Sequence, residues 1–340
     1  MRMKCVENVA TDSVEPAAPS TPTLWALLLP EAGFRSQVMG LAESIGGNVI
    51  EKNIDLRAPW SLLPSTLCPF PLWGLDPSLD QLAPPWPDVV IGCGRRTIPI
   101  ALEIKRQSAG KTKAIYIQNP KGATPSFDLV VSMKHDEQSG PNVMNVDTAI
   151  HRVTRIKLDN AGMEWQARFG AFPRPLIGVI LGGRNRSFRF TDAVAKSAIA
   201  NLSALADKTG ASFVITPSRR TDPHIIDHFK TFVKNQSHAI LWDGNGDNPY
   251  FGMLALCDGL IVTEDSVSMV SEAIASGKPV ATISLEGHAL RHLKFIDNLL
   301  DKKAITRFNG DLPSTSNVML SDYTALAAER VRTMLASKQK

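Results

Sequence analysis

Short apolar runs recur along the chain, each ending close to Gly, Pro or a polar cluster. They are LWALLL (24–29), PDVVIGCG (87–94), KAIYIQNP (113–120), FDLVVSM (127–133), PLIGVILGG (175–183), SFVITPS (212–218), AILWDG (239–244), DGLIVTE (258–264) and KPVATISL (278–285). Runs of this length without polar alternation fit strands buried on both faces of a parallel sheet. NVIEKNIDL (48–56) reads as a more exposed strand, and the segment around NVMNV (142–146) continues the strand-rich pattern. Between the strands, apolar residues fall at helical spacing. The predicted helices are QVMGLAESIG after the Gly-containing loop PEAGFRSQ (30–37), TIPIALEIKRQS (97–108), 192–210 stopped by Gly210, and 222–235 with Asp222 as N-cap. NPYFGMLALC (248–257), SVSMVSEAIASG (266–277) and a last helix over about Leu320–Leu335 complete the set.

Strands alternating with helices predict an α/β fold with parallel sheets. The pattern runs through two rounds, with Pro173 and Pro175 between them. The expected architecture is two Rossmann-like doubly wound domains facing across a cleft. Residues 1–22 are expected as a disordered polar tail, 23–172 as the first domain, 173–318 as the second and 319–340 as a C-terminal helix. From Ala58 to Pro87 the chain is rich in Pro and Trp, an irregular excursion long enough to have a function of its own.

Composition narrows the function. The 340 residues carry 37 Lys and Arg against 33 Asp and Glu, a formal net charge of +4, and 44% are hydrophobic. That balance lacks the concentrated basic stripe of a nucleic-acid binder and suits an anionic small ligand or an anionic membrane surface. Cys5, Cys68, Cys93 and Cys257 are far apart and show neither metal-ligand nor disulfide spacing. The expectation is a reduced, cytoplasmic protein without a bound metal or cofactor, with peripheral contact at the inner face of the membrane.

Candidate chemistry gathers where strands hand over to helices. In VTEDSVSMVSEAIASGKPV (262–280), Ser266 and Ser268 open a helix whose N-terminus suits phosphate, Glu264 ends the strand, and Glu272 is placed to accept two hydroxyls of a ribose. Ser266 is equally an ordinary N-cap, and Glu272 equally a solvated helix residue. Gly182, Gly183 and Arg184 in LGGRNRSF, and Ser218, Arg219 and Arg220 in TPSRRT, form further anion-binding loops, each also readable as a solvated turn. Asn248 and Tyr250 open the helix after WDG as sugar or base contacts, or as caps. In the first round, Gly94, Arg95 and Arg96 repeat the Gly–Arg form, and Gly33 and Gln37 line the same cleft on the acceptor side. His135 beside Asp136 in a loop is the candidate base.

Taken together, VTEDSVSMVSEAIASGKPV, TPSRRT, GDNPYFGMLALCD, GRRTIPIALEIKR, FDLVVSMKHDEQSGPNV and LGGRNRSF resemble the mitochondrial-fission elongated-mitochondria (ELM1-like) family. The resemblance runs from about Leu24 to Leu335. It implies the two-Rossmann GT-B architecture and a nucleotide-sugar donor on the second domain. Ser266, Ser268 and Glu272 then look like the phosphate and ribose positions, and Gly183 and Arg184 like the diphosphate loop. Many relatives carry a Gly-His in the loop after the first strand; here Phe34 stands where that His would fall. The expected function is a metal-independent glycosyltransferase acting on a lipid or glycan acceptor of the cell envelope. The rivals are a non-catalytic scaffold on the same fold and a nucleotide-sugar epimerase.

Overall fold

The computed structural model describes residues 21–314 and 320–337. Of the tail expected at residues 1–22, residues 1–20 lie outside the described residues, as do the last three residues of the chain. The chain opens with β1 (Thr23–Leu28), α1 (Ala32–Ile45), β2 (Asn48–Asn53), β3 (Val89–Cys93), α2 (Thr97–Gln107), β4 (Lys113–Ile117), β5 (Leu129–Met133) and β6 (Val143–Val146). After α3 (Arg155–Phe169) come β7 (Leu176–Leu181), β8 (Phe188–Arg189), α4 (Asp192–Thr209), β9 (Ser212–Pro217), α5 (Pro223–Lys234), β10 (Ala239–Leu241) and α6 (Tyr250–Leu256). The last elements are β11 (Gly259–Thr263), α7 (Val267–Ala275), β12 (Val280–Ile283), β13 (Glu286–Gly287), α8 (Leu290–Asp301), β14 (Thr306–Arg307) and α9 (Tyr323–Ala336).

Two parallel sheets result, in the orders β2-β1-β3-β4-β5-β6 and β10-β9-β7-β11-β12-β14, while β8 and β13 form a small antiparallel ribbon. Period-two alternation divides each strand between two apolar layers. Leu24, Ala26 and Leu28 join a layer that both sheets share, whereas Trp25, Leu27 and Leu29 face the layer beneath α2. In the second sheet Leu176 and Ile180 join the shared layer, and Ile177, Val179 and Leu181 face α4 and α5. One continuous core therefore runs between the halves.

Helix ends follow local chemistry. Thr154, Thr191, Ser266 and Asp322 cap α3, α4, α7 and α9 by accepting a backbone N–H in the first turn. Gly210 ends α4 at φ +68°, a left-handed position that favours glycine. Three local expectations are corrected. Asp222 precedes α5 but makes no side-chain cap. PEAGFRSQ is not a loop: α1 begins at Ala32, so Gly33 and Gln37 are helical, and Gln37 is buried with its amide on the Gly33 carbonyl at 3.2 Å. Helices α3 and α8 also form where no helix was expected.

The halves are tied together in two further places. Asp147, just after β6, is buried and accepts hydrogen bonds from Lys134 (3.0 Å), Asn298 of α8 (3.1 Å) and Tyr323 of α9, and pairs with Lys302 at 2.5 Å. Helix α9 returns to the first half. There Arg332 donates to the carbonyls of Ser44 (2.8 Å) and Ile45 (3.3 Å), capping the last turn of α1. No helix among the described residues is long and apolar enough to cross a membrane.

Candidate functional site

In an open parallel sheet, ligands bind outside the carboxyl ends of the strands where the strand order reverses. The second sheet reverses between β7 and β11. Three loops meet there, after β7, β9 and β11, and their centre is Asp265. Its carboxylate, wholly buried, accepts from the Gly183 N–H (3.2 Å) and the Thr263 hydroxyl (2.7 Å) and pairs with Arg220 (2.8 Å). Such partners offset the large cost of burying a charge. Thr221 donates to the Gly182 carbonyl at 2.6 Å, and the Arg184 N–H donates to the Arg220 carbonyl at 3.1 Å. A Cβ on Gly183 would meet that same carbonyl at 1.9 Å, so the loops approach too closely for a larger residue.

The structure thus brings Gly182, Gly183, Ser218 and Arg220 together, with the Ser218 hydroxyl 3.2 Å from that of Thr221. Arg184 and Arg219 stand exposed at the rim. Glu264 points elsewhere: buried, it pairs with Arg307 and accepts from Thr282 at 2.7 Å. Asn248 accepts the Tyr250 N–H at 3.0 Å and so acts as a cap. The Ser266 hydroxyl accepts the Met269 N–H at 3.4 Å, again a cap.

Glu272 is not solvated. It is buried on α7 between the halves, and each carboxylate oxygen receives one hydroxyl: Ser36 of α1 at 2.7 Å and Tyr250 of α6 at 2.6 Å. Burial pushes the Glu272 carboxyl above its ordinary value, against the two hydroxyl donors that pull it down. The Tyr250 phenol is pushed up by burial and by the carboxylate beside it. Gly33 lies on the same seam, since a Cβ there would stand 3.5 Å from the Ser268 hydroxyl.

The first sheet reverses between β1 and β3. Gly94 adopts φ +90° there, and a Cβ would press on Leu29 and the Phe34 ring at 2.9 Å. Its arginines are engaged by neighbouring segments of the first half. Arg96 pairs with Glu31 (2.7 Å) and Asp55 (2.8 Å), and Arg95 donates to the Ser61 carbonyl at 2.8 Å. His135 and Asp136 form no dyad. Asp136 pairs with Arg291 of α8 at 3.1 Å, and His135 packs edge-on to Phe295 with ring centroids 6.1 Å apart. Burial lowers the affinity of His135 for a proton. Beside it lies a cavity of about 240 Å³ lined by Lys134, His135, Asp147, Lys294, Phe295 and Asn298.

Asp265, Thr221 and Ser36 are site residues that sequence reasoning missed. Asp265 had a visible signal, a carboxylate directly after a buried strand. Ser36 had none, being 236 positions from its partner.

Comparisons with known proteins agree with this architecture. A UDP-GlcNAc 2-epimerase from Methanocaldococcus jannaschii has a TM-score of 0.50 at 11% identity, covering 93% of this chain and 99% of that one. A Listeria monocytogenes protein described as a UDP-N-acetylglucosamine 2-epimerase has a TM-score of 0.54 at 12% identity, covering 94% and 97%. At such identities the likeness shows the fold, which is of the GT-B type. In sequence, the chain is 28% identical over 342 residues to the uncharacterized protein RP120 of Rickettsia prowazekii, covering 88% of this chain and 93% of that protein. It is 28% identical over 277 residues to the Arabidopsis thaliana mitochondrial fission protein ELM1, covering 74% of this chain and 65% of that protein. The family profile described as mitochondrial fission ELM1 matches residues 32–335, and the chain belongs to that family.

Proposed function

We propose that the protein binds a nucleoside-diphosphate sugar at the carboxyl edge of the second sheet and acts as a glycosyltransferase. The observation that carries this reading is the pair of hydroxyls on Glu272. Ser36 and Tyr250 offer the carboxylate two O–H donors from two sides, the same chemistry that a ribose diol would present. In this reading the diol replaces one or both protein hydroxyls. The diphosphate lies over the Gly182–Gly183 loop, with Arg184, Arg219 and Arg220 beside it. These arginines and the N-terminus of α7 stabilise the charge that develops on the leaving diphosphate, without a protein-bound metal. His135, whose affinity for a proton is lowered by burial and which is set beside the cavity, is the proposed base, acting without Asp136. The acceptor class is a lipid or glycan.

A second reading, a non-catalytic scaffold of the fission type, draws on the Asp265 centre. There the Gly183 N–H and the Arg220 guanidinium already serve a protein carboxylate rather than facing a ligand. An epimerase would need a free carboxylate pair near the sugar, whereas Glu264 and Asp265 are each bound to an arginine.

Calorimetry decides between them. Nucleoside diphosphates and their sugars are titrated into wild type and Glu272→Ala, with and without magnesium. One nucleotide should bind wild type and lose at least about 1.5 kcal/mol in the variant, a charged hydrogen bond's worth. Equal affinity in the two proteins would remove the ribose assignment; no binding by any nucleotide would leave the scaffold.

A further inference from the structure

Between Arg57 and Asp76 the sequence carries no charged residue. The chain there makes three short 3₁₀ turns, Trp60–Leu62, Ser65–Leu67 and Pro71–Gly74. It turns four large apolar side chains outward: Leu62 is 76% exposed, Leu67 71%, Phe70 65% and Trp73 72%. The other exposed large apolar residues among those described, such as Ile156 and Leu290, are spread over the rest of the chain. Single exposed residues need no explanation; a gathered set marks an interaction surface.

The patch is built rather than frayed. Phe70 and Trp73 stack with ring centroids 5.2 Å apart and planes 23° from parallel. Beneath them the Trp60 indole donates to the Pro69 carbonyl at 2.8 Å, and its ring lies so close to Gly74 that a Cβ there would meet it at 2.4 Å. Two arginines are fixed at the patch through its own backbone. Arg57 donates to the Trp73 carbonyl at 3.2 Å, and Arg95 to the Ser61 carbonyl at 2.8 Å. Both are exposed, and neither is in an ion pair among the described residues, although Asp76 lies within electrostatic reach of Arg57.

Exposed Leu, Phe and Trp, cations at their base and no carboxylate within the run together match the interface of an anionic bilayer. Aromatic rings rest there at headgroup depth, and arginines meet lipid phosphates. The uncharged run offers a basic partner no carboxylate to pair with, while its two flanking arginines suit an anionic one. We propose that the 58–75 excursion docks the protein on an anionic lipid surface. Leu62, Leu67, Phe70 and Trp73 enter the boundary between headgroups and acyl chains, while Arg57 and Arg95 contact phosphate. This holds whether or not the nucleotide-sugar reading is right.

The test is cosedimentation of the full chain with vesicles of phosphatidylcholine alone, or of phosphatidylcholine and phosphatidylglycerol in equal parts. Wild type should partition at least about 10-fold more strongly onto the anionic vesicles, with each arginine contributing about five-fold. The Phe70→Ser/Trp73→Ser variant should lose at least about 10-fold. Leu67→Ser alone, at an exposed position that leaves folding intact, should lose a smaller but measurable part. Ile156→Ser, 73% exposed outside the patch, should match wild type. Three results would overturn the proposal: no sedimentation with either vesicle, binding abolished by Arg57→Glu/Arg95→Glu yet untouched by the apolar changes, or concentration-dependent self-association through the patch without vesicle binding.

Discussion

Asp147 and Glu272 are both buried carboxylates that join the two halves, yet they sit in opposite surroundings. Asp147 is ringed by Lys134, Lys302, Asn298 and Tyr323. Burial alone would raise its carboxyl, but these donors outweigh it and hold the group well below its ordinary value of 3.8. Glu272 is hydrogen-bonded by two neutral hydroxyls, with only the more distant charge of Arg152 to help them, and burial wins, so its carboxyl rises above the ordinary 4.5. The contrast separates two jobs. A carboxylate neutralised by cations is a clamp that no neutral ligand displaces. A carboxylate held by neutral hydroxyls can exchange them for the hydroxyls of a ligand at little electrostatic cost.

The largest expected effect breaks the clamp. Asp147→Asn should lower stability by about 2 kcal/mol at neutral pH, because a buried carboxylate loses its charge-assisted hydrogen bonds; denaturant unfolding measures it. A change below half that size would show that the lysines merely rehydrate. Next comes acid sensitivity, where the two sites carry opposite signs. The Asp147 contribution is present above the unfolded value of 3.8 and disappears as pH falls through its lower folded value. The Glu272 contribution is present below 4.5 and disappears as pH rises through its higher folded value. Melting curves of Glu272→Gln against wild type should therefore favour the variant increasingly as pH rises from about 4.5, whereas the deficit of Asp147→Asn should be constant over that range and shrink only as pH falls below 3.8. The smallest effect sharpens the hydroxyl side. Tyr250→Phe removes one donor, so the Glu272 carboxyl should rise further and stability fall by about 1 kcal/mol. Nucleotide affinity should hold or improve, because a competing hydroxyl is gone; a loss of more than about 10-fold would make Tyr250 a ligand contact instead.

The sheets were legible because strands such as LWALLL and PLIGVILGG are apolar on both faces and stop at polar or glycine-rich turns. Helix α3 was not, since only Ala161, Trp165 and Phe169 are buried on it, a stripe too narrow to stand out among its charges. Helix α8 has a clear apolar stripe in Phe295, Ile296 and Leu299, but it follows a strand-like segment that drew no helix signal. At the site, sequence located the loops and not their wiring. Arg219 and Arg220 look alike in TPSRRT, yet only Arg220 reaches Asp265. Arg95 and Arg96 likewise promise an anion site, but their partners Ser61, Asp55 and Glu31 come from separate segments. Such choices are made by packing between distant parts of the chain, which no local pattern encodes.

Helix α9 lies against α1 and closes its last turn through Arg332. In the order of synthesis, this means that the part of the molecule made first is finished last. While the ribosome is still building the second sheet, α1 keeps bare carbonyls at its end and an apolar face awaiting Ala327, Ala328 and Val331. The half that is first to emerge therefore waits, incompletely covered, for nearly the whole chain, a period in which a nascent protein depends on its chaperones.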